Sequence, residues 1–145
     1  MTGKMKAAVC HEFGKPLTIE ELDIPTINQN QILVKVDTCG VCHTDLHAVR
    51  GDWPAKPTPP FIPGHEGIGH VVEVGSHVDW TAKCDTAGVP LLYSACGHCA
   101  HCYGGCATLC ATQQDTGYSV TGCFAAPLVA APNYVTPIHP AVHPF

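Results

Sequence analysis

"QILVKVDTCGVCHTDLHAVRG", residues 31–51, decides how the chain is read. Its first seven residues alternate, placing Ile32, Val34 and Val36 on one face of a half-buried strand. From Cys39 onward the polar–apolar spacing, closed by Gly51, predicts a short helix of two turns. The junction carries Cys39, Cys42, His43, Asp45 and His47. Thiolate and imidazole so close together are metal-ligand chemistry. A catalytic zinc takes about three protein ligands and keeps an open position, so the rest of the chain is searched for partners of Cys42.

Outward from this stretch most of the chain reads as strands. "MKAAVC" (5–10) is short and apolar, and "LTIEELDI" (17–24) alternates loosely. "GIGHVVEVGSHV" (67–78) is rich in valine and predicts a strand ending at Gly75. "TAGVPLLYS" (86–94) predicts another, and "TGCFAAPLVAAPNYV" (121–135) a late strand broken at Pro127. Five prolines in "DWPAKPTPPFIPG" (52–64) make it an extended loop. "GIGHVV" has two glycines in rhythm but no third, no preceding strand and no βαβ unit, so it is read as strand and not as a dinucleotide fingerprint. Strands recurring every 10–15 residues with few helices predict a mainly β (α+β), barrel-like single domain over residues 1–145.

Bulk properties narrow the function. Of 145 residues 13% are charged, and the net charge is −5. The seven lysines and arginines are scattered, which argues against nucleic acid as a partner. No apolar run reaches the ~20 residues of a membrane span, and the N-terminus lacks the apolar core of a signal peptide. A cytoplasmic location is expected. Ten cysteines and ten histidines in a reducing compartment point to metal binding before disulfides.

"CGHCAHCYGGCATLC" (96–110) holds five cysteines in a lobe spanning about 94–112. Ligands two residues apart grip one ion from a tight turn. Four thiolates close a structural zinc tetrahedron. Cys96, Cys99, Cys102 and Cys110 are the favoured set, with Cys106 a spare thiol and His98 and His101 facing solvent. Taking Cys106 instead gives the spacing of an iron–sulfur run, but that run carries proline after its last cysteine and serves a second cluster. Here Ala107 follows. Buried or disulfide-paired cysteines are the plainer alternative.

"PGHEG" (63–67) places His65 beside Glu66 between a rigid loop and a strand, where His65 can meet Cys42. Together "CGVCHTDLHAVRGDWP", "PFIPGHEGIGHVVEVGS", "GVPLLYSACGHCAHC" and "TLCATQQDTGYSV" resemble the zinc-containing alcohol dehydrogenases of the medium-chain family, over nearly the whole chain. The resemblance implies a GroES-like β-barrel catalytic domain with a structural zinc lobe on Cys96, Cys99, Cys102 and Cys110. It implies catalytic zinc on Cys42 and His65, with Glu66 in or near its shell. Thr44 would contact the alcohol oxygen and begin a proton relay ending at His47. Asp45 would orient a ligand, and His43 would lie near the cofactor pyrophosphate. Trp53 and Leu91 would line the substrate pocket. The implied activity is oxidation of primary alcohols to aldehydes with NAD. A full-length relative would be a homo-oligomer acting on a small alcohol or aldehyde.

By the same resemblance, the third catalytic-zinc ligand is a cysteine beyond "PNYV", and the NAD-binding domain follows it. Neither falls within residues 1–145. The chain is therefore expected to be a truncated catalytic domain without a Rossmann unit, inactive alone. A stand-alone zinc module and, after it, an iron–sulfur protein are the alternatives. Cys84 replaces a turn glycine of the family pattern, and Cys123 falls in "GCFAAP" (122–127), where the family tends to read Gly-Gly-Tyr-Ala-Glu-Tyr. Leu91 stands where the nearest relatives carry tryptophan, which would admit a bulkier alcohol. Cys39 is read as a small core residue.

Overall fold

The computed structural model describes residues 3–83, 85–139 and 141–142. Cys84 lies outside them. The chain forms strands β1 (Lys4–Val9), β2 (Thr18–Asp23) and β3 (Ile32–Cys39), helix α1 (His43–Arg50), strands β4 (Gly67–Val74), β5 (Thr86–Val89) and β6 (Leu92–Ser94), and helix α2 (Ala100–Tyr103). Four short strands follow: β7 (Gln114–Asp115), β8 (Ala125–Ala126), β9 (Leu128–Ala130) and β10 (Thr136–Pro137). Three sheets result, ordered β2-β1-β8, β10-β5-β4-β3-β9 and β6-β7. Every pairing between these strands is antiparallel. The fold is mainly β, and no βαβ unit occurs among the described residues. "GIGHVV" is part of β4, paired with β3 and β5.

β3 is the spine of the larger sheet, flanked by β4 and β9. Ile32 and Val34 face the main core with Val71, Val89, Leu128 and Ala130. Val36 packs against that cluster from a partly buried position, as the alternation predicts. Leu33, on the opposite face, is also fully buried, because a central strand is covered on both sides. Each such side chain contributes roughly 1.5–3 kcal/mol by leaving water. A second cluster of Met5, Ala7, Val9, Ile62 and Ala125 lies under the smaller sheet.

Two predicted strands are each divided by proline. Residues 86–94 form β5 and β6, separated by Pro90. The late strand becomes β8 and β9, with Pro127 between them. β8 pairs with β1 in one sheet and β9 with β3 in another. Pro127 thus marks the crossing between sheets, where its missing N–H removes no ladder bond.

α1 starts and stops on local chemistry. The Asp45 carboxylate accepts the Cys42 backbone N–H at 2.9 Å, satisfying an orphan donor of the first turn. The helix ends at Gly51, which is left-handed with φ 66°. A Cβ there would stand 2.8 Å from the Phe13 ring, so both dihedral and space require glycine. None of the described helices is long and apolar enough to cross a membrane.

Candidate metal centres

The turn before α1 and the loop before β4 bring Cys42 and His65 together. One carboxylate fixes both. Asp45, 4% exposed, accepts Cys42 N–H at 2.9 Å, Gly64 N–H at 3.0 Å and the His65 Nδ1–H at 2.8 Å. His65 is buried at 7% exposure. The bond from Nδ1 assigns its tautomer and leaves the Nε2 lone pair free. Glu66 completes a cluster: single donor atoms of Cys42, His65 and Glu66 all lie within 4.8 Å of one another. Glu66 Oε1 is 3.9 Å from His65 Nε2, and the Glu66 carbonyl is held by Gly40 N–H at 3.0 Å. Thiolate, imidazole and carboxylate are the donor mixture of a zinc site with an open position. Alongside the Cys42–His65 pair anticipated from the resemblance, Glu66 is therefore a third donor.

Beside the cluster is a cavity of about 410 Å³, lined by Thr44, Trp53, Pro54, Leu91, Asp115 and Tyr118 among others. A second space of about 440 Å³ is lined by His65, Glu66, Val89 and Leu91. Leu91 borders both. The Cys42 thiol points to Thr44 Oγ1 at 3.7 Å. His47 lies one turn along α1 from Thr44. Its Nδ1 is 3.1 Å from Asp52 Oδ2, and its ring stacks on Trp53 at 5.1 Å. Exposed His43 packs its ring on His47 at 5.1 Å. No hydrogen bond joins Thr44 to His47 directly among the described residues, so a relay between them needs an intervening group.

Two wall residues escaped the sequence reading. Tyr118 donates its hydroxyl to the Ala55 carbonyl and packs its ring against Trp53 at 5.9 Å. Burial raises the Asp115 carboxyl above the ordinary carboxylate range. Both contacts are long-range, and no local pattern announces them.

The second cluster gathers Cys96, Cys99, Cys102 and Cys110, again within 4.8 Å of one another. Cys99 and Cys102 straddle the start and interior of α2, with sulfurs 3.5 Å apart, and the Cys96 and Cys102 sulfurs are 3.9 Å apart. Cys110 closes the group from the turn after residues 107–109. Its sulfur accepts the Cys96 N–H at 3.4 Å and contacts Thr112 Oγ1 at 3.5 Å. Those bonds, the Cys96 amide first, pull its thiol down to about 6, while burial and its thiol neighbours push Cys102 up to about 11. Cys106 is exposed, points to the Gly104 carbonyl at 3.9 Å, and lies outside the cluster. His98 and His101 are exposed.

The chain is similar to known alcohol dehydrogenases. The chain is 61% identical over 131 residues to an alcohol dehydrogenase of Moraxella sp. (strain TAE123), covering 90% of this chain and 39% of that protein. It is 53% identical over 134 residues to one from Geobacillus stearothermophilus, covering 92% and 40%. A thermostable alcohol dehydrogenase from Pyrobaculum aerophilum, solved with cobalt and zinc bound, superposes with a TM-score of 0.85 at 28% identity, over 93% of this chain and 41% of that one. The chain therefore spans about two fifths of the length of the curated relatives it matches. Residues 28–140 match the alcohol dehydrogenase GroES-like domain, and the chain belongs to that family.

Proposed function

We propose that residues 1–145 are the catalytic-domain portion of a zinc-dependent alcohol dehydrogenase that oxidises small primary alcohols to aldehydes with NAD. One observation carries the reading: Cys42, His65 and Glu66 form one donor cluster, and Leu91 lines both the space at His65 and Glu66 and the cavity over Thr44 and Trp53. Zinc bound by Cys42, His65 and Glu66 supplies Lewis acidity toward an alcohol oxygen. The protein's own residues do the rest. Asp45 holds His65 in the tautomer that presents Nε2. Thr44 offers its hydroxyl to the substrate hydroxyl. Trp53 and Leu91 line the space for the alkyl group. His47, ion-paired to Asp52, exchanges the released proton with solvent. His43, exposed at the start of α1, is assigned to the cofactor pyrophosphate. Cys96, Cys99, Cys102 and Cys110 hold a structural zinc without an open position.

The chain alone is expected to bind zinc without turning over alcohol. A chimera in which it replaces the corresponding two fifths of the Moraxella relative tests the activity. Alcohol-dependent cofactor reduction that disappears in His65→Ala is expected, and activity that survives His65→Ala would overturn the assignment of the zinc site. Leu91→Trp in the chimera should shift preference toward short alcohols, because the larger indole narrows the cavity of about 410 Å³. An unchanged preference would refute Leu91 as a wall. A zinc module without catalysis is the second reading, favoured by the completeness of the four-thiol cluster. Bound zinc in a chimera that never reduces NAD or NADP would select it.

A further inference from the structure

We propose that Cys39 and Cys123 form an oxidisable thiol pair, a modification site at which a peroxide converts two thiols into a disulfide. The bridge would tie together the backbone segments that carry Cys42 and His65. Cys39 is the last residue of β3 and lies opposite Gly67 in the ladder with β4. Gly67 has no side chain, and Cys123 fills the space: its Sγ is 2.6 Å and its Cβ 3.1 Å from where a Gly67 Cβ would stand. The Cys123 thiol therefore lies over Gly67 and beside its cross-strand partner Cys39, whose own thiol donates to the Gly40 carbonyl at 3.2 Å. Both belong to the packing of the main core. An S–S bond of about 2.05 Å would link the end of β3 directly to the segment that covers Gly67.

The backbone on each side is pinned. Gly122 N–H donates to the Ile62 carbonyl at 2.9 Å, Cys123 N–H to Gly64 at 2.8 Å and Phe124 N–H to Pro63 at 3.0 Å. Cys123 is thus fixed to the loop that leads into His65, as Cys39 is to the turn that leads into Cys42. The two thiols differ in access: Cys123 is 3% exposed, whereas Cys39 is only half-buried. Cys39 is the sulfur a small oxidant reaches. Its attack on hydrogen peroxide breaks the O–O bond and gives a sulfenic acid and one water. Cys123 then displaces the sulfenic hydroxyl, which leaves as a second water with the Cys123 proton. Two thiols lose two protons and two electrons, and one peroxide becomes two waters. The alternative partner within "CGVC" (39–42), Cys42, has its sulfur turned to Thr44.

The test uses the whole zinc-loaded chain, treated with hydrogen peroxide, blocked with an alkylating agent and digested without reduction. Mass spectrometry should find the Cys39 peptide joined to the Cys123 peptide, lighter than the two thiols by two hydrogen atoms. Dithiothreitol should separate them, and Cys123→Ser and Cys39→Ser should each abolish the species. Alkylated Cys39 and Cys123 after oxidation, or Cys39 joined to Cys42, would overturn the proposal. The wild-type map decides by itself, even where a serine variant folds poorly.

Discussion

Removing the Asp45 carboxylate gives the sharpest energetic test of how the catalytic cluster is built. In Asp45→Ala three donors lose their acceptor together: Cys42 N–H, Gly64 N–H and His65 Nδ1–H. Leaving a buried donor unpaired costs about 1–3 kcal/mol, so the three together cost about 3–9 kcal/mol. The lower half is expected, because Cys42 is half-buried and water can reach its amide. Against a whole-domain stability of about 5–15 kcal/mol, that is a large fraction. Asp45→Asn differs in kind. Its remaining oxygen can keep Gly64 and His65, while its NH2 confronts Cys42 N–H, so about one bond is lost, or about 1–3 kcal/mol. Urea unfolding at fixed zinc, read by circular dichroism, measures both variants. Zinc affinity at the Cys42 cluster should also fall about 10–100-fold in Asp45→Ala, since His65 loses its orienting partner, and by less in Asp45→Asn, which keeps it. Asp45→Ala within 1 kcal/mol of wild type, with unchanged zinc affinity, would refute the argument.

Other predictions follow from single contacts. Cys110→Ser should delete one bound zinc, whereas Cys106→Ser should leave the metal content unchanged, as native mass spectrometry will show. Thr116 is 1% exposed, and its hydroxyl has no hydrogen-bond partner. Thr116→Val should therefore raise the urea midpoint by removing a desolvation penalty of about 1–3 kcal/mol; a lowered midpoint would show that the hydroxyl is satisfied. Burial raises the Asp115 carboxyl, so its protonated form favours folding. That contribution is complete below the unfolded value of about 3.9 and is lost as pH rises through the folded value. Asp115→Asn should stabilise the protein at pH 7 by well under about 1 kcal/mol, because solvent screens the partly exposed group. The gain should vanish below about pH 4. Parallel urea midpoints against pH isolate the difference.

What could be read from the sequence was local. The alternation of Ile32, Val34 and Val36, the Gly51 stop, the prolines of 52–64 and the two-residue cysteine spacing each follow from neighbours along the chain. β8 and β9 have two and three residues, too few to display a period, and their separation at Pro127 depends on which partner strand each one finds. The candidate site divides the same way. Cys42 and the four lobe cysteines announce themselves by spacing. Asp45 gripping Gly64 and His65, about 20 positions away, depends on tertiary folding. So do the Tyr118–Ala55 bond across 63 positions and Cys123 filling the space above Gly67.

Counting metal on the purified chain under a graded chelator challenge tests the central claim most directly. Two zinc ions per chain are expected at saturation, one resisting the chelator and one yielding to it. Cys110→Ser should remove the resistant ion and His65→Ala the labile one. Iron with sulfide, or a zinc count that neither substitution changes, would contradict the account.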